Sequence, residues 1–225
     1  LDPAALLAWA EALIALRERR AQLEAVYRCS GPSMPAYLPD TTRPDLLQEL
    51  AFYDLQPGDR IAELGAGTGA FSAAVAATVD SITLYINELD TALLDQIAYQ
   101  VQYNPVFRRP GSRTLAIQGS RSATGLQQQP VDAVIIRNAI HHFEYLDDML
   151  RALREALAVG GKLLLRERFR EDCRANCCPA LLSEAYLRRR LEAAGFHLVG
   201  FRTIDDRDGP WRLTHWEWQA PQKPD

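Results

Sequence analysis

The chain has 225 residues, 48% of them hydrophobic, and a formal net charge of -4. That length and apolar content suit one medium domain with a real core, and no apolar run reaches the roughly 18–20 residues of a membrane-spanning helix. The acidic balance argues against a general nucleic-acid or anionic-membrane binder, so neither is expected as a partner.

In chain order, Leu6, Trp9, Leu13, Leu16, Leu23 and Tyr27 recur at helical spacing, predicting an amphipathic helix from Pro3 to Arg28. Gly31, Pro32, Pro35 and Pro39 then break regular structure, so Ser33 to Thr42 reads as a loop. Residues 1–43 therefore form an N-terminal helix and linker ahead of a domain spanning 44–225. A helix is expected over Pro44 to Tyr53, followed by the Pro57-Gly58 turn and a strand over Arg60 to Leu64. Next comes Gly65-Ala66-Gly67-Thr68-Gly69, opening an alanine-rich helix. Gly65 and Gly67 allow a sharp bend and the close approach of a ligand to the main chain.

This turn fits two cofactor classes, because Gly65, Gly67 and Ala70 also satisfy the dinucleotide fingerprint. Glu63 separates them. A carboxylate about 5 Å from a pyrophosphate costs roughly 3 kcal/mol at an effective dielectric near 20. An ammonium and a sulfonium, by contrast, are attracted by it.

Further along, Ser81 to Ile86 reads as a strand ending in Asn87-Glu88-Leu89-Asp90, and Thr91 to Tyr103 as a helix capped by Asp90 and Thr91. Glu88 lies about 20 residues past Gly65, where an acid closing the second strand reaches ribose hydroxyls. A carboxylate accepts two hydrogen bonds from a vicinal diol, and Leu89 is expected against the adenine. Thr114 to Ile117 is a third strand, ending near Ser120. Val131 to Ile136 is nearly all apolar, as befits the covered centre of a parallel sheet. It leads into Arg137-Asn138-Ala139-Ile140-His141-His142. After a helix over Asp147 to Ala158, the Gly160-Gly161 turn starts a fifth strand, Leu163 to Leu165. Glu167 is expected to pair at the surface with Arg166, Arg168 or Arg170, the alternative being that it lines the substrate mouth. A helix over Leu181 to Ala194 and two strands, His197 to Ile204 and Trp211 to Gln219, complete the chain.

The stretch Glu63-Leu64-Gly65-Ala66-Gly67-Thr68-Gly69 resembles the signature of class I, Rossmann-like S-adenosylmethionine-dependent methyltransferases, and the resemblance runs from about Pro57 to Gly200. It implies an α/β fold: a seven-stranded, mostly parallel sheet with helices on both faces, a C-terminal antiparallel hairpin and here an N-terminal helical extension. It also implies S-adenosyl-L-methionine as cofactor, S-adenosyl-L-homocysteine as product and a small-molecule methyl acceptor. The cofactor residues implied are Glu63, Gly65, Ala66, Gly67, Thr68, Glu88, Leu89, Ser120 and Asn138. The family usually has an Asp near Ser120, so Arg121, Ser122 or backbone is expected to help hold the adenine.

The stretch from Asn138 to His142 resembles the end of the fourth strand in many small-molecule members. His141 is the first candidate for a base, since an imidazole takes up a proton near neutral pH. His142 is read as a substrate contact or a structural group, and a structural role stays open for His141 too. Tyr37 is read as a lid residue in the N-terminal loop, the alternative being that the helix before it only caps the sheet's edge. Two other readings stay open: a non-catalytic relative that only binds the cofactor or its product, and an NAD(P)-dependent oxidoreductase.

Four cysteines, Cys29, Cys173, Cys177 and Cys178, fit no zinc-site spacing, so no metal is expected and the thiols are read as incidental. A Cys29–Cys173 disulfide is the alternative for an exported protein. The chain starts at Leu1 without a basic leader region, and cytoplasm is the default location.

Overall fold

A computed structural model describes residues 43–126, 130–174, 181–205 and 209–218. The expected N-terminal helix, Tyr37, Cys29, Cys177 and Cys178 lie outside them. Five helices are described: α1 (Pro44–Tyr53), α2 (Ala70–Thr78), α3 (Thr91–Tyr103), α4 (Leu146–Ala156) and α5 (Glu184–Ala193). Seven strands form one sheet: β1 (Arg60–Leu64), β2 (Thr83–Glu88), β3 (Arg113–Gln118), β4 (Val131–Arg137), β5 (Leu157–Glu167), β6 (Phe196–Ile204) and β7 (Trp211–Trp218). Their order is β3-β2-β1-β4-β5-β7-β6. The first five are parallel, while β7 runs antiparallel to both β5 and β6. This is the expected Rossmann-like architecture with its terminal hairpin.

Alternation along the strands sends side chains into two cores, one on each face of the sheet. Ile61, Ile135 and Leu164 join Tyr53 of α1, Phe71 of α2 and Ile97 of α3. Leu64, Val134, Ile136 and Leu165 join Leu150 and Leu153 of α4 and Leu187 and Leu191 of α5. Because the middle strands are covered on both sides, they show no polar alternation. The alanine run of α2 packs closely, and residues 71–77 are all buried.

One boundary shifts in a way that matters. Asp90 caps α3 as expected, its carboxylate accepting from Ala92 N at 2.8 Å and Leu93 N at 3.1 Å. But β5 runs on to Glu167, so alternation puts Glu167 on the same face as Leu163 and Leu165. The expected surface pairing of Glu167 with an arginine is therefore wrong: the residue is 1% exposed and turned inward. Cys173 also departs from its incidental reading, being disulfide-bonded.

Buried charge ties α1 to the sheet. Glu49 of α1 is 1% exposed and accepts from Arg137 Nε at 2.5 Å and Nη2 at 2.9 Å. The Tyr53 hydroxyl donates to the same carboxylate at 2.9 Å. Arg137 lies over the Phe71 ring, 4.1 Å from its centroid. Breaking a buried ion pair from one side strands the other charge. Glu49→Gln should therefore lower unfolding stability by about 3 kcal/mol, and adding Arg137→Met should recover part of that loss. Urea denaturation of the two single variants and the double variant checks this; strictly additive losses would contradict it.

Candidate functional site

In parallel α/β sheets, ligands bind outside the carboxyl ends of the strands. Here that edge carries the ends of β1, β2, β4 and β5 and the loops that follow them. Gly65 leaves β1 with φ +67°, and a Cβ there would come within 2.9 Å of the Ala139 Cβ. Only glycine lets the β1 turn pass so close to the β4 loop. Gly67, at φ +57°, has open space where its Cβ would stand, so the turn offers bare backbone. The turn is pinned to β2 twice. Ala66 N donates to the Asn87 carbonyl at 3.0 Å, and Gly67 N donates to Glu88 Oε2 at 2.7 Å.

Glu88 is 8% exposed, and its other oxygen accepts from Leu89 N at 2.7 Å and Asp90 N at 3.1 Å. Three main-chain donors thus fix both carboxylate oxygens in place. A carboxylate has about four acceptor sites, so Oε2 keeps room for one further hydrogen bond.

A cavity of about 280 Å³ opens at this edge, lined in part by Gly65, Leu89, Ser120 and His142. Leu89, half exposed, offers an apolar wall. Asn87, Phe143 and Met149 also line it, and sequence reasoning missed them. Arg121 and Glu144 line it as well and form an ion pair with each other. Asn87 had a usable signal, since it immediately precedes Glu88. Its side-chain amide donates to the Thr124 carbonyl at 2.7 Å, holding the loop that carries Ser120. Ser120 is held by its own backbone, N to the Ala123 carbonyl at 3.0 Å. Thr68 lies in the turn between Gly67 and the α2 N-cap, Gly69.

Glu63 is 3% exposed and faces α2, where Ser72 Oγ donates to its Oε2 at 2.5 Å. Burial pushes its carboxyl up to about 7, with Arg137 and the Ser72 hydrogen bond pulling the other way. Asn138 is held at φ +50°, its N–H donating to the Arg166 carbonyl at 2.7 Å.

The two histidines behave differently. His141, its side chain 6% exposed, turns Nδ1 to Glu167 Oε2 at 3.0 Å. The other oxygen of Glu167 accepts from Arg168 N at 2.9 Å. His142 is exposed, lines the cavity and packs against His141, with ring centroids 4.0 Å apart and the planes tilted by 47°. Partial burial and the neighbouring His141 hold the His142 imidazole below its usual value, against the pull of Glu167. Among the described residues, no group of three or more His, Cys, Asp or Glu is arranged to hold a metal ion, and no helix is long and apolar enough to cross a membrane.

Residues 62–163 match the family described as "Methyltransferase domain". Comparison with curated proteins finds no significant match. Among solved structures, an S-adenosylmethionine-dependent methyltransferase from Aquifex aeolicus superposes with a TM-score of 0.66 at 14% identity, covering 87% of this chain and 98% of its own. The glycopeptide N-methyltransferase MtfA, complexed with sinefungin, gives 0.63 at 15% identity, covering 82% and 91%. A chain from the complex of the Haloferax volcanii Trm112 methyltransferase activator with a methyltransferase gives 0.64 at 16% identity, covering 79% and 89%. At such identities the likeness is one of fold.

The buried acid at Glu63 makes a pH prediction. Its folded pKa, about 7, lies above the ordinary 4.5, so the native state keeps the proton longer than the unfolded chain does. Its contribution to stability therefore falls as pH rises from about 4.5 to about 7, then levels off. The full change is about 3 kcal/mol. Between about pH 5 and pH 8, Glu63→Gln should gain on the unsubstituted chain in urea unfolding. A gap that does not move with pH would contradict the assignment.

Proposed function

We propose, from the premise that this chain belongs by fold and by its domain at residues 62–163 to the class I, S-adenosylmethionine-dependent methyltransferases, that it methylates a small-molecule acceptor. When bound, S-adenosylmethionine supplies a sulfonium-activated methyl group that an aligned nucleophile displaces in line. What supports its binding is the cradle itself: the open backbone at Gly67, the buried Glu88 and the apolar face of Leu89 at one edge of the sheet.

In this reading Glu88 accepts from a ribose hydroxyl through Oε2 and takes the second hydroxyl by giving up a main-chain donor, and Gly65, Ala66, Gly67 and Thr68 present main chain to the amino-acid part. Ser120, whose hydroxyl can accept from the adenine amino group, takes the place of the family's Asp, with Arg121 beside it as a donor. Asn138, its backbone fixed by Arg166, faces the methionine portion. Glu63 is half protonated near neutral pH with nothing bound, and a cationic ligand favours its ionised form. Cofactor binding should thus release a proton.

The observation that carries the catalytic part is the His141–Glu167 contact. A carboxylate on Nδ1 favours the tautomer with its hydrogen there, which leaves Nε2 to accept a proton from an acceptor hydroxyl or amine. Glu167 acts through His141 and is a positioning residue. His142, neutral at physiological pH and open to the cavity, is a contact for the acceptor rather than a proton store. Alignment and water exclusion supply the remainder of the rate, since positioning alone lowers such barriers by several kcal/mol.

The test is transfer of labelled methyl from S-adenosylmethionine into a metabolite extract. Label in a small acceptor is expected, whereas binding without transfer to any acceptor would leave a non-catalytic relative. Once an acceptor is in hand, Glu167→Gln should lower kcat about 10- to 100-fold with cofactor affinity unchanged. The kcat–pH profile should change with it. An unaltered kcat would remove His141–Glu167 from the mechanism.

A further inference from the structure

Arg166 ends the buried run of β5 on the face it shares with Arg137, its register partner on β4. Its side chain is only 12% exposed. A guanidinium has five N–H donors and stays charged in proteins, and a buried charge is tolerated when it is paired and hydrogen-bonded. Arg166 is neither in full. Its Nε is buried without a hydrogen-bond partner, and the nearest carboxylate oxygen, Glu49 Oε2, stands 3.6 Å away. That carboxylate is already taken by two donors from Arg137 and one from Tyr53. The other nearby acid, Asp45, is engaged by Arg43. The guanidinium lies over Trp211, 4.3 Å from the ring centroid, and Arg168 lies over the same ring at 4.2 Å. An aromatic face fixes the plane of a guanidinium while leaving its edge free to donate.

The location matters as much as the shortfall. The Arg166 carbonyl holds Asn138, and the next residue, Glu167, holds His141. Arg166 therefore ends at the same sheet edge as the proposed base, one residue along the strand and on the opposite face, so a molecule lying over that edge meets both.

We propose that Arg166 anchors an anionic group, a carboxylate or a phosphate, carried by the methyl acceptor. Such a group accepts two parallel N–H bonds from the guanidinium edge and brings the missing negative charge. The anion site stands on this geometry alone; only its attribution to the acceptor rests on the methyltransferase reading. The acceptor is then an acid or a phosphate ester whose nucleophile lies at the His141 end.

Two measurements on the full chain test this. In the first, the ¹⁵N resonance of Arg166 Nε, assigned by its loss in Arg166→Lys, is followed while acetate or inorganic phosphate is added. A saturable shift is expected with at least one of them, and the better ligand identifies the headgroup. No shift with either refutes the site. In the second, products labelled from the extract are passed over an anion exchanger and assayed with Arg166→Lys, which keeps the charge and loses the planar fork. Retained label and a KM raised about 10- to 100-fold at little change in kcat are expected. Label confined to unretained products, or an unchanged KM, overturns the acceptor assignment. If no label is transferred at all, the attribution falls with the enzymatic reading, and the resonance shift still decides whether the anion site exists.

Discussion

Charges buried under the carboxyl edge of the sheet must find partners, and the pairing they find shapes this molecule. Glu88 is met by three backbone N–H groups, and Glu49 by Arg137 and Tyr53. Glu167 is met by His141 and the Arg168 N–H. Glu63 has Ser72 and a raised pKa. Three of these pairings, Glu88 to Gly67, Glu49 to Arg137 and Glu167 to His141, join elements apart in the chain, so satisfying the charges also assembles the site. The glycine turn is locked to β2 through Glu88, α1 to β4 through Glu49, and the β4 loop to β5 through Glu167.

Most of the architecture was legible from apolar runs and turn residues. The middle strands announce themselves by continuous hydrophobicity, the turn at Gly65 by glycines that few other sequences require, and α3 by its Asp90 cap. The antiparallel ending followed from two alternating segments separated by a polar, Gly-Pro turn. Where a residue's place depends on its local position, as with Gly65, Gly67, Glu88 and Leu89, its position at the carboxyl edge was legible too.

What escaped is long-range pairing. Glu49 sits in an ordinary amphipathic helix, and nothing nearby marks it as the partner of an arginine on a central strand. Glu167 was misjudged because β5 was expected to stop at Leu165. Two more residues of strand turn a charged surface run into an alternating pattern, with Arg166 on one face and Glu167 on the other. That one boundary decides whether His141 is a lone histidine or half of a dyad. The ring that lines the cavity is that of His142, and the carboxylate lies behind His141.

The central claim is that the edge holding Gly67, Glu88 and Glu63 receives a cationic sulfur nucleoside. Calorimetric titration with S-adenosylhomocysteine, whose ammonium is retained, tests it most directly when run near pH 7 in two buffers of different ionisation enthalpy. Saturable heat whose size depends on the buffer, reporting proton release as Glu63 ionises, is the predicted result. No heat with that nucleoside, alongside saturable binding of NADH, would contradict the account.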